Sequence, residues 1–212
     1  MNYRTYLFDL DGTVLDTGAG VMGSVQYALE NFGYPGEPEE KLRRFVGPSL
    51  YDSFTGDYGM SKEQAEEAIR LYRQHYRDGA MFEAEPYPGI RLVLETLRGN
   101  GRAVYIVTSK PLTMAEPVLR HFGLTECFDG LIGPDESDHS SDKEKLIRRA
   151  LAMGDADPML TVMIGDRKFD MEGAAAVGID SIGVLYGFGE EEELRRAGAT
   201  HLVSDPVEIL DI

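Results

Sequence analysis

Two aspartates separated by one residue, Asp9 and Asp11, follow an apolar and aromatic segment at positions 6–8. Side chains of a strand alternate between its faces, so the two carboxylates are expected to point the same way. Carboxylates that close repel each other, and both remain ionised only beside a compensating cation. The pair therefore predicts a cation at the strand end. A plain acidic turn is the simpler alternative, because Asp-Gly is a common turn dipeptide.

A second polar site follows the apolar segment 103–107, which has the composition of a strand. Thr108 and Ser109 come directly after it, and Pro111 is suited to the first turn of the helix expected next. Backbone N–H groups and the dipole at a helix N-terminus favour an anion. An ordinary helix cap is the simpler interpretation of a lone Ser or Thr at this place.

A lysine opens another predicted helix. Ser141 and Glu144 have the spacing of a capping box, which places Lys143 in the first turn. A cation there opposes the helix dipole by roughly 0.3–1 kcal/mol, a cost that is reasonable if the lysine faces a phosphate and a carboxylate. Lys145 is the second candidate and Lys110 the third. The simpler interpretation of any one of them is a solvated surface charge.

Two more acids follow the apolar segment 160–164. Asp166 comes directly after Gly165, and Asp170 lies four residues further along the chain. One helical turn would bring Asp170 back to the side of Asp166. Alone, this pattern is a moderate signal for a metal site.

In chain order these features resemble the motifs of the haloacid dehalogenase superfamily: D-x-D-G-T at 9–13, a strand-end Thr, a Lys, and G-D-x-x-x-D at 165–170. The resemblance implies that Asp9 is a nucleophile that forms an aspartyl-phosphate. It implies that Asp11 is the general acid for the leaving oxygen and then the general base for the attacking water. Three further side chains would bind the phosphoryl oxygens: Thr108, Ser109 and Lys143.

The resemblance also implies a magnesium site. The ligands would be Asp9, the main-chain carbonyl of Asp11 and Asp166, with Asp170 as a further ligand or a close neighbour of one. All-oxygen ligation suits this hard cation. The ion would also reduce the repulsion between Asp9 and the phosphoryl oxygens.

The elements that must position these residues change character along the chain. From Ile90 onward, strand and helix patterns alternate, which indicates a parallel sheet with helices on both faces. Such sheets bind ligands at the carboxyl ends of their strands. The region between Gly18 and about Ala84 reads as helical, with a capping box at Ser61 and Gln64.

We therefore predict an α/β fold. Its core is a Rossmann-like parallel sheet formed by residues 1–16 and 85–212. An all-helical cap, residues 17–84, is inserted after the first strand. The resemblance implies that this cap closes over the active site, with linkers near 16–20 and 82–88 where Gly and Pro cluster.

The net charge of −16 argues against nucleic acid or an anionic membrane as a partner. An anionic substrate must then be met by local positive charge or by a metal. No apolar segment of about 18 residues is present, and no signal peptide is expected. The single cysteine, Cys127, excludes an internal disulfide and fits a cytoplasmic protein. The sequence does not separate a monomer from a homodimer.

The resemblance extends over the whole chain and narrows the reaction. Dehalogenases lack a carboxylate at the position of Asp11, and phosphonate-cleaving relatives need a cap lysine, for which only Lys41 and Lys62 are available. Segments 45–48 and 182–189 look like the phosphoglycolate phosphatase and bacterial 5′-nucleotidase-like branch. The expected enzyme is a Mg²⁺-dependent phosphomonoester hydrolase. Its expected substrate is a small phosphorylated metabolite, either phosphoglycolate or a nucleoside monophosphate.

Two other functions stay open. β-Phosphoglucomutases share the acids of the first motif and a similar cap, so a phosphosugar mutase is the main rival. A non-catalytic binding module on the same fold would be indicated by the loss of Asp9 or Asp166, and both are present.

Substrate specificity is expected to come from the cap. We predict that Arg43, Arg44 and Ser49, beside Gly47 and Pro48, meet the leaving group. A cationic pair there would suit the carboxylate of phosphoglycolate or a second anionic group of a nucleotide. A solvated basic edge of a helix is an equally good interpretation of the two arginines.

Overall fold

A parallel sheet forms the centre of the protein, which a computed structural model describes for residues 3–135 and 142–212. The strands are β1 Thr5–Phe8, β2 Leu15–Asp16, β3 Glu85–Pro86, β4 Ala103–Val107, β5 Gly130–Ile132, β6 Thr161–Gly165, β7 Asp180–Val184 and β8 His201–Val203. Six of them form one sheet in the order β5-β4-β1-β6-β7-β8, and all of its neighbouring pairs are parallel.

Helices cover both faces of this sheet. The described α-helices are α1 Gly18–Glu30, α2 Glu39–Arg43, α3 Leu50–Tyr58, α4 Lys62–Arg77, α5 Ile90–Gly99, α6 Leu112–His121, α7 Lys143–Gly154, α8 Lys168–Val177 and α9 Glu191–Arg196. Phe8 and Ile164 belong to the apolar cluster on one face, and Leu7 and Met163 to the cluster on the other. Strands buried on both faces read as continuous apolar segments, which is why the sequence shows no polar alternation in them.

The register of the central strands brings three strand ends together. Phe8 of β1 lies opposite Ile106 of β4 and Ile164 of β6. The backbone N–H of Asp9 donates to the carbonyl of Ile164 at 2.8 Å, which continues the ladder past the last residue of β1. The polar residues that follow these three strands therefore share one edge of the sheet.

Helices α1 to α4 form most of a second apolar cluster, which also includes Met114 of α6. The capping box that begins α4 is confirmed, with Ser61 and Gln64 each accepting a backbone N–H of the other residue. Before and after this region, β2 and β3 pair antiparallel, with Asp16 opposite Glu85. The chain thus leaves and re-enters the sheet region at adjacent points. The division into a core and a cap at residues 17–84 stays a prediction.

Two predicted helix starts differ in the structure. The N-cap of α7 is Asp142, whose carboxylate accepts the N–H of Lys145 at 3.2 Å. This is one residue later than the predicted cap, Ser141, which lies outside the described residues. Asp142 can cap as well as Ser because both carry a short side-chain oxygen. At α6, Pro111 is the N-cap and not a first-turn residue, since its backbone is extended.

Candidate active site

Three buried carboxylates meet where β1 and β6 end. Asp9 follows β1, Asp166 follows β6, and Asp170 lies in the first turn of α8. One oxygen from each lies within 4.8 Å of the others, and all three residues are buried. Burial and the neighbouring carboxylates raise the pKa of Asp166 well above its usual range. Such a cluster is stable in its ionised form only with positive charge between its members.

Residues 187–189 pack closely against one side of Asp166. Its Oδ2 accepts the N–H of Phe188 at 2.8 Å, whereas its buried Oδ1 has no hydrogen-bond partner among the described residues. A side chain at Gly187 or Gly189 would clash with Asp166, so the glycines of this segment permit the close approach. An unpaired, buried carboxylate oxygen beside two further acids fits a cation ligand.

Lys143 supplies positive charge at the same place. Its Nζ lies 3.0 Å from Oδ1 of Asp9 and 2.8 Å from Oδ1 of Asp170, and it donates to the carbonyl of Val107 at 3.0 Å. Burial alone would lower the pKa of Lys143, but the charges of Asp170 and Asp9 raise it above its usual range. The rival Lys145 is 73% exposed and pairs with Asp142 at the surface.

Asp11 does not join the three carboxylates through its side chain. Its Oδ1 instead lies 2.5 Å from Nζ of Lys110, which also donates to the hydroxyl of Tyr76 at 2.7 Å. Lys110 was the third-ranked lysine of the sequence prediction, and the structure gives it a partner in the first motif. Burial would lower its pKa, but Asp11 and Tyr76 more than offset this and raise it.

The predicted phosphate-binding hydroxyls lie beside these acids. Thr108 is buried at the end of β4, and its Oγ1 accepts the N–H of Lys110 at 3.1 Å. Thr108 and Ser109 both line a cavity of about 110 Å³, whose wall also includes Asp9 and Asp11. The structure therefore brings the hydroxyls of the second motif to the acids of the first.

Residues of the helical region complete this cavity, but not the predicted arginines. Ser49 lines it, together with Arg73 of α4. Arg43 instead donates to the carbonyl of Gly187 at 3.1 Å, and Arg44 is paired with Glu40 at the surface. The prediction that Arg43 and Arg44 meet the leaving group has no support in this geometry, because both guanidinium groups are directed to other partners.

Sequence reasoning also missed contacts between distant segments. On α4, Ile69 and Tyr72 line the cavity, and Tyr76 contacts Lys110. Arg167 donates to the carbonyl of Val46 at 2.5 Å, which joins the β6–α8 segment to the helical region. The sequence shows these residues but not their contacts, because the partners of Tyr76 and Arg167 lie 34 and 121 residues away in the chain.

The fold and the site together define an α/β protein with an acidic centre at the carboxyl edge of a parallel sheet. The chain belongs to the haloacid dehalogenase-like hydrolase family, whose model matches residues 6–184. The predicted family, the fold class and the enzyme class, a hydrolase of this family, are thereby confirmed. The roles given to individual side chains stay predictions.

Known relatives cover most of the chain. A 5′-nucleotidase of Pseudomonas aeruginosa is 38% identical over 205 residues, which span 97% of this chain and 93% of that protein. The tyrosine-protein kinase PtkA of Mycobacterium tuberculosis is 34% identical over 92% of this chain, which spans 66% of that protein. The crystal structure of a predicted phosphatase from Clostridium acetobutylicum superposes with a TM-score of 0.94 and 38% identity, covering 100% of both chains.

Within residues 3–135 and 142–212, no helix combines the length and the apolar character needed to cross a bilayer.

Proposed function

We propose that this chain is a Mg²⁺-dependent phosphomonoester hydrolase that works through an aspartyl-phosphate on Asp9. The supporting observation is the convergence of Asp9, Asp166 and Asp170 with Lys143 beside the cavity. A carboxylate can attack a phosphoryl group only if cations offset the charge of both. At these carboxylates, Lys143 is a buried cation, and the three acids together would hold a metal cation as well.

The residues present fit Mg²⁺. Asp9, Asp166 and Asp170 offer oxygen atoms of the type this ion prefers, and Oδ1 of Asp166 lacks a hydrogen-bond partner among the described residues. The main-chain carbonyl of Asp11 is the further ligand that the family resemblance implies. A bound Mg²⁺ would supply charge neutralisation for the phosphoryl oxygens.

The first step is phosphoryl transfer to the protein. A carboxylate oxygen of Asp9 forms a bond to phosphorus while the bond from phosphorus to the leaving oxygen breaks. Asp11 donates its proton to that oxygen, so the product leaves as an alcohol. Lys143, Thr108 and Ser109 hold the phosphoryl oxygens as charge shifts on them.

The second step releases phosphate. Asp11, now deprotonated, accepts a proton from water, and the water oxygen bonds to phosphorus as the bond to Asp9 breaks. Asp9 returns as a carboxylate and Asp11 as an acid, so the two steps form a closed cycle. General acid–base catalysis of this kind accelerates a reaction roughly 10²–10⁴-fold.

The cavity favours a nucleoside monophosphate over phosphoglycolate. Beyond the acids, its wall is formed largely by apolar and aromatic side chains, among them Phe45, Tyr51 and Tyr72. Aromatic walls suit a planar base. Arg73 and Lys110 on the same wall would suit the carboxylate of phosphoglycolate, so the preference rests on the aromatic side chains. The relative named a 5′-nucleotidase spans nearly the whole chain, which supports the same choice.

A substrate panel tests this function. Phosphate release with Mg²⁺ would be measured for nucleoside monophosphates, phosphoglycolate, sugar phosphates and β-glucose 1-phosphate. We expect release from one or more nucleoside monophosphates to exceed that from phosphoglycolate at least about tenfold. No release from any ester, with glucose 6-phosphate formed from β-glucose 1-phosphate after priming by the bisphosphate, would identify a mutase instead.

Replacing Asp166 tests the metal site. We expect Asp166→Asn to raise the Mg²⁺ concentration for half-maximal activity at least about tenfold, because it removes one charged ligand. The Mg²⁺-dependent rise in melting temperature, which reports binding without turnover, should shrink in parallel. Asp155→Asn, an exposed position at the end of α7, is the matched control. Equal Mg²⁺ dependence of Asp166→Asn and wild type would exclude Asp166 as a ligand.

A further inference from the structure

A buried contact joins the first motif to the helical region. Nζ of Lys110 lies 2.5 Å from Oδ1 of Asp11 and 2.7 Å from the hydroxyl oxygen of Tyr76, to which it donates. The side chain of Lys110 is 6% exposed and that of Asp11 13%. Lysines are almost never buried to this degree unless they are paired. The contact thus fixes the direction of the Asp11 carboxylate.

The contact has two anchors. On the sheet side, the backbone N–H of Lys110 donates to Oγ1 of Thr108, so the lysine is held at the end of β4. On the helical side, Tyr76 belongs to α4 and stacks on Tyr72 with the ring planes 12° apart. Tyr72 lines the cavity where the substrate is expected. Asp11 is thereby connected through Lys110 and Tyr76 to Tyr72 of α4.

The Asp11 carboxylate keeps one oxygen for the reaction. The ion pair engages Oδ1, and Asp11 also lines the cavity. If the carboxylate were mobile, proton transfer would first require it to find the leaving oxygen, because such transfer needs hydrogen-bond reach. Holding Oδ1 against the ammonium group of Lys110 sets the direction of Oδ2, the oxygen that would carry the proton for the leaving group.

We propose that Lys110 is a positioning residue for Asp11, and that Tyr76 completes this support from α4. Proton transfer by Asp11 then depends on α4 being seated against the sheet edge. This inference rests on the proposed phosphatase function and adds to it, since the proposed mechanism gives neither residue a contact with the phosphoryl group.

Leaving-group basicity separates this role from phosphate binding. p-Nitrophenyl phosphate and benzyl phosphate present similar rings, but p-nitrophenolate leaves without a proton whereas benzyl alcohol needs one. The ratio kcat/KM covers events up to loss of the leaving group, so slow hydrolysis of the aspartyl-phosphate does not affect it. A residue that positions the acid should therefore matter for benzyl phosphate alone.

The experiment compares kcat/KM for both esters in wild type, Lys110→Met, Lys110→Arg and Tyr76→Phe, all with Mg²⁺. For Lys110→Met we expect at least about a 30-fold loss with benzyl phosphate and less than about threefold with p-nitrophenyl phosphate. Lys110→Arg should restore part of the loss because it keeps the cation. Tyr76→Phe should lose about fivefold on benzyl phosphate only.

Matched controls make the same chemical changes elsewhere. Lys145→Met removes an exposed lysine, and Tyr58→Phe removes a hydroxyl that bonds Glu37 away from the cavity wall. Neither control should change the ratio between the two esters. Circular dichroism and melting temperature would verify that each variant folds.

The outcomes are distinct. Equal losses on both esters would overturn the inference and make Lys110 a phosphate ligand, and no loss would exclude any support of Asp11. If Lys110→Met fails to fold, the inference is tested by Tyr76→Phe alone, because this variant keeps the aromatic ring and its packing. A wild-type protein that hydrolyses neither these esters nor the substrate panel would refute the phosphatase function itself.

Discussion

Asp9→Asn should reduce turnover at least about 10³-fold while the protein remains folded. The amide keeps the size of the side chain but cannot attack phosphorus as a carboxylate does. Asp9 is buried beside Asp170 and Asp11, and burial together with these charges raises its pKa despite the opposing effect of Lys143. A neutral side chain removes that electrostatic penalty. The melting temperature without metal should therefore be equal to that of wild type or higher.

The control for this variant is Asp57→Asn, an exposed acid near the end of α3. It should leave both turnover and melting temperature unchanged. Rapid acid quenching of wild type during turnover should also trap a protein phosphate that hydroxylamine cleaves, as it cleaves an acyl phosphate. Asp9→Asn should lack this species. Residual turnover of Asp9→Asn within tenfold of wild type would contradict the nucleophile assignment.

The sequence predicted the positions of those site residues that directly follow a core strand. A buried strand directly precedes each of Asp9, Thr108 and Asp166. Parallel strands end at one edge of a sheet. Their proximity therefore follows from the order of apolar segments and from motif spacing. Lys143 was found for a related reason, since a cation in a first helical turn is unfavourable without a nearby anion.

The sequence was not informative about contacts between the helical region and the sheet. The sequence predicts that Arg43 meets the leaving group, but its guanidinium donates to the carbonyl of Gly187, which is 144 residues away. Tyr76 belongs to an apolar stripe, and no spacing rule reveals that its hydroxyl reaches Lys110. Side-chain direction in such contacts is set by how two folded units meet, which local periodicity does not encode.

Lys143→Met should have the largest effect on stability. Lys143 is the buried partner of both Asp9 and Asp170, and its removal leaves buried carboxylates without a cation. Loss of one partner from a buried ion pair typically costs about 3–5 kcal/mol. We expect chemical denaturation without metal to show a loss of this size, with turnover reduced at least about 10²-fold. Lys145→Met, which breaks an exposed pair, should cost at most about 1 kcal/mol.

The double variant Asp9→Asn/Lys143→Met separates electrostatics from packing. If the cost of Lys143→Met comes from uncompensated carboxylates, neutralising Asp9 removes one of them. Asp9→Asn should then stabilise the Lys143→Met background by about 1–2 kcal/mol more than it stabilises wild type. Mg²⁺ should restore stability to Lys143→Met more than to wild type, because an added cation replaces the missing one. Strictly additive free energies of unfolding would instead assign the cost to lost packing of the lysine stem. Lys143 would then stabilise the site by packing and not by compensating the charge of the carboxylates.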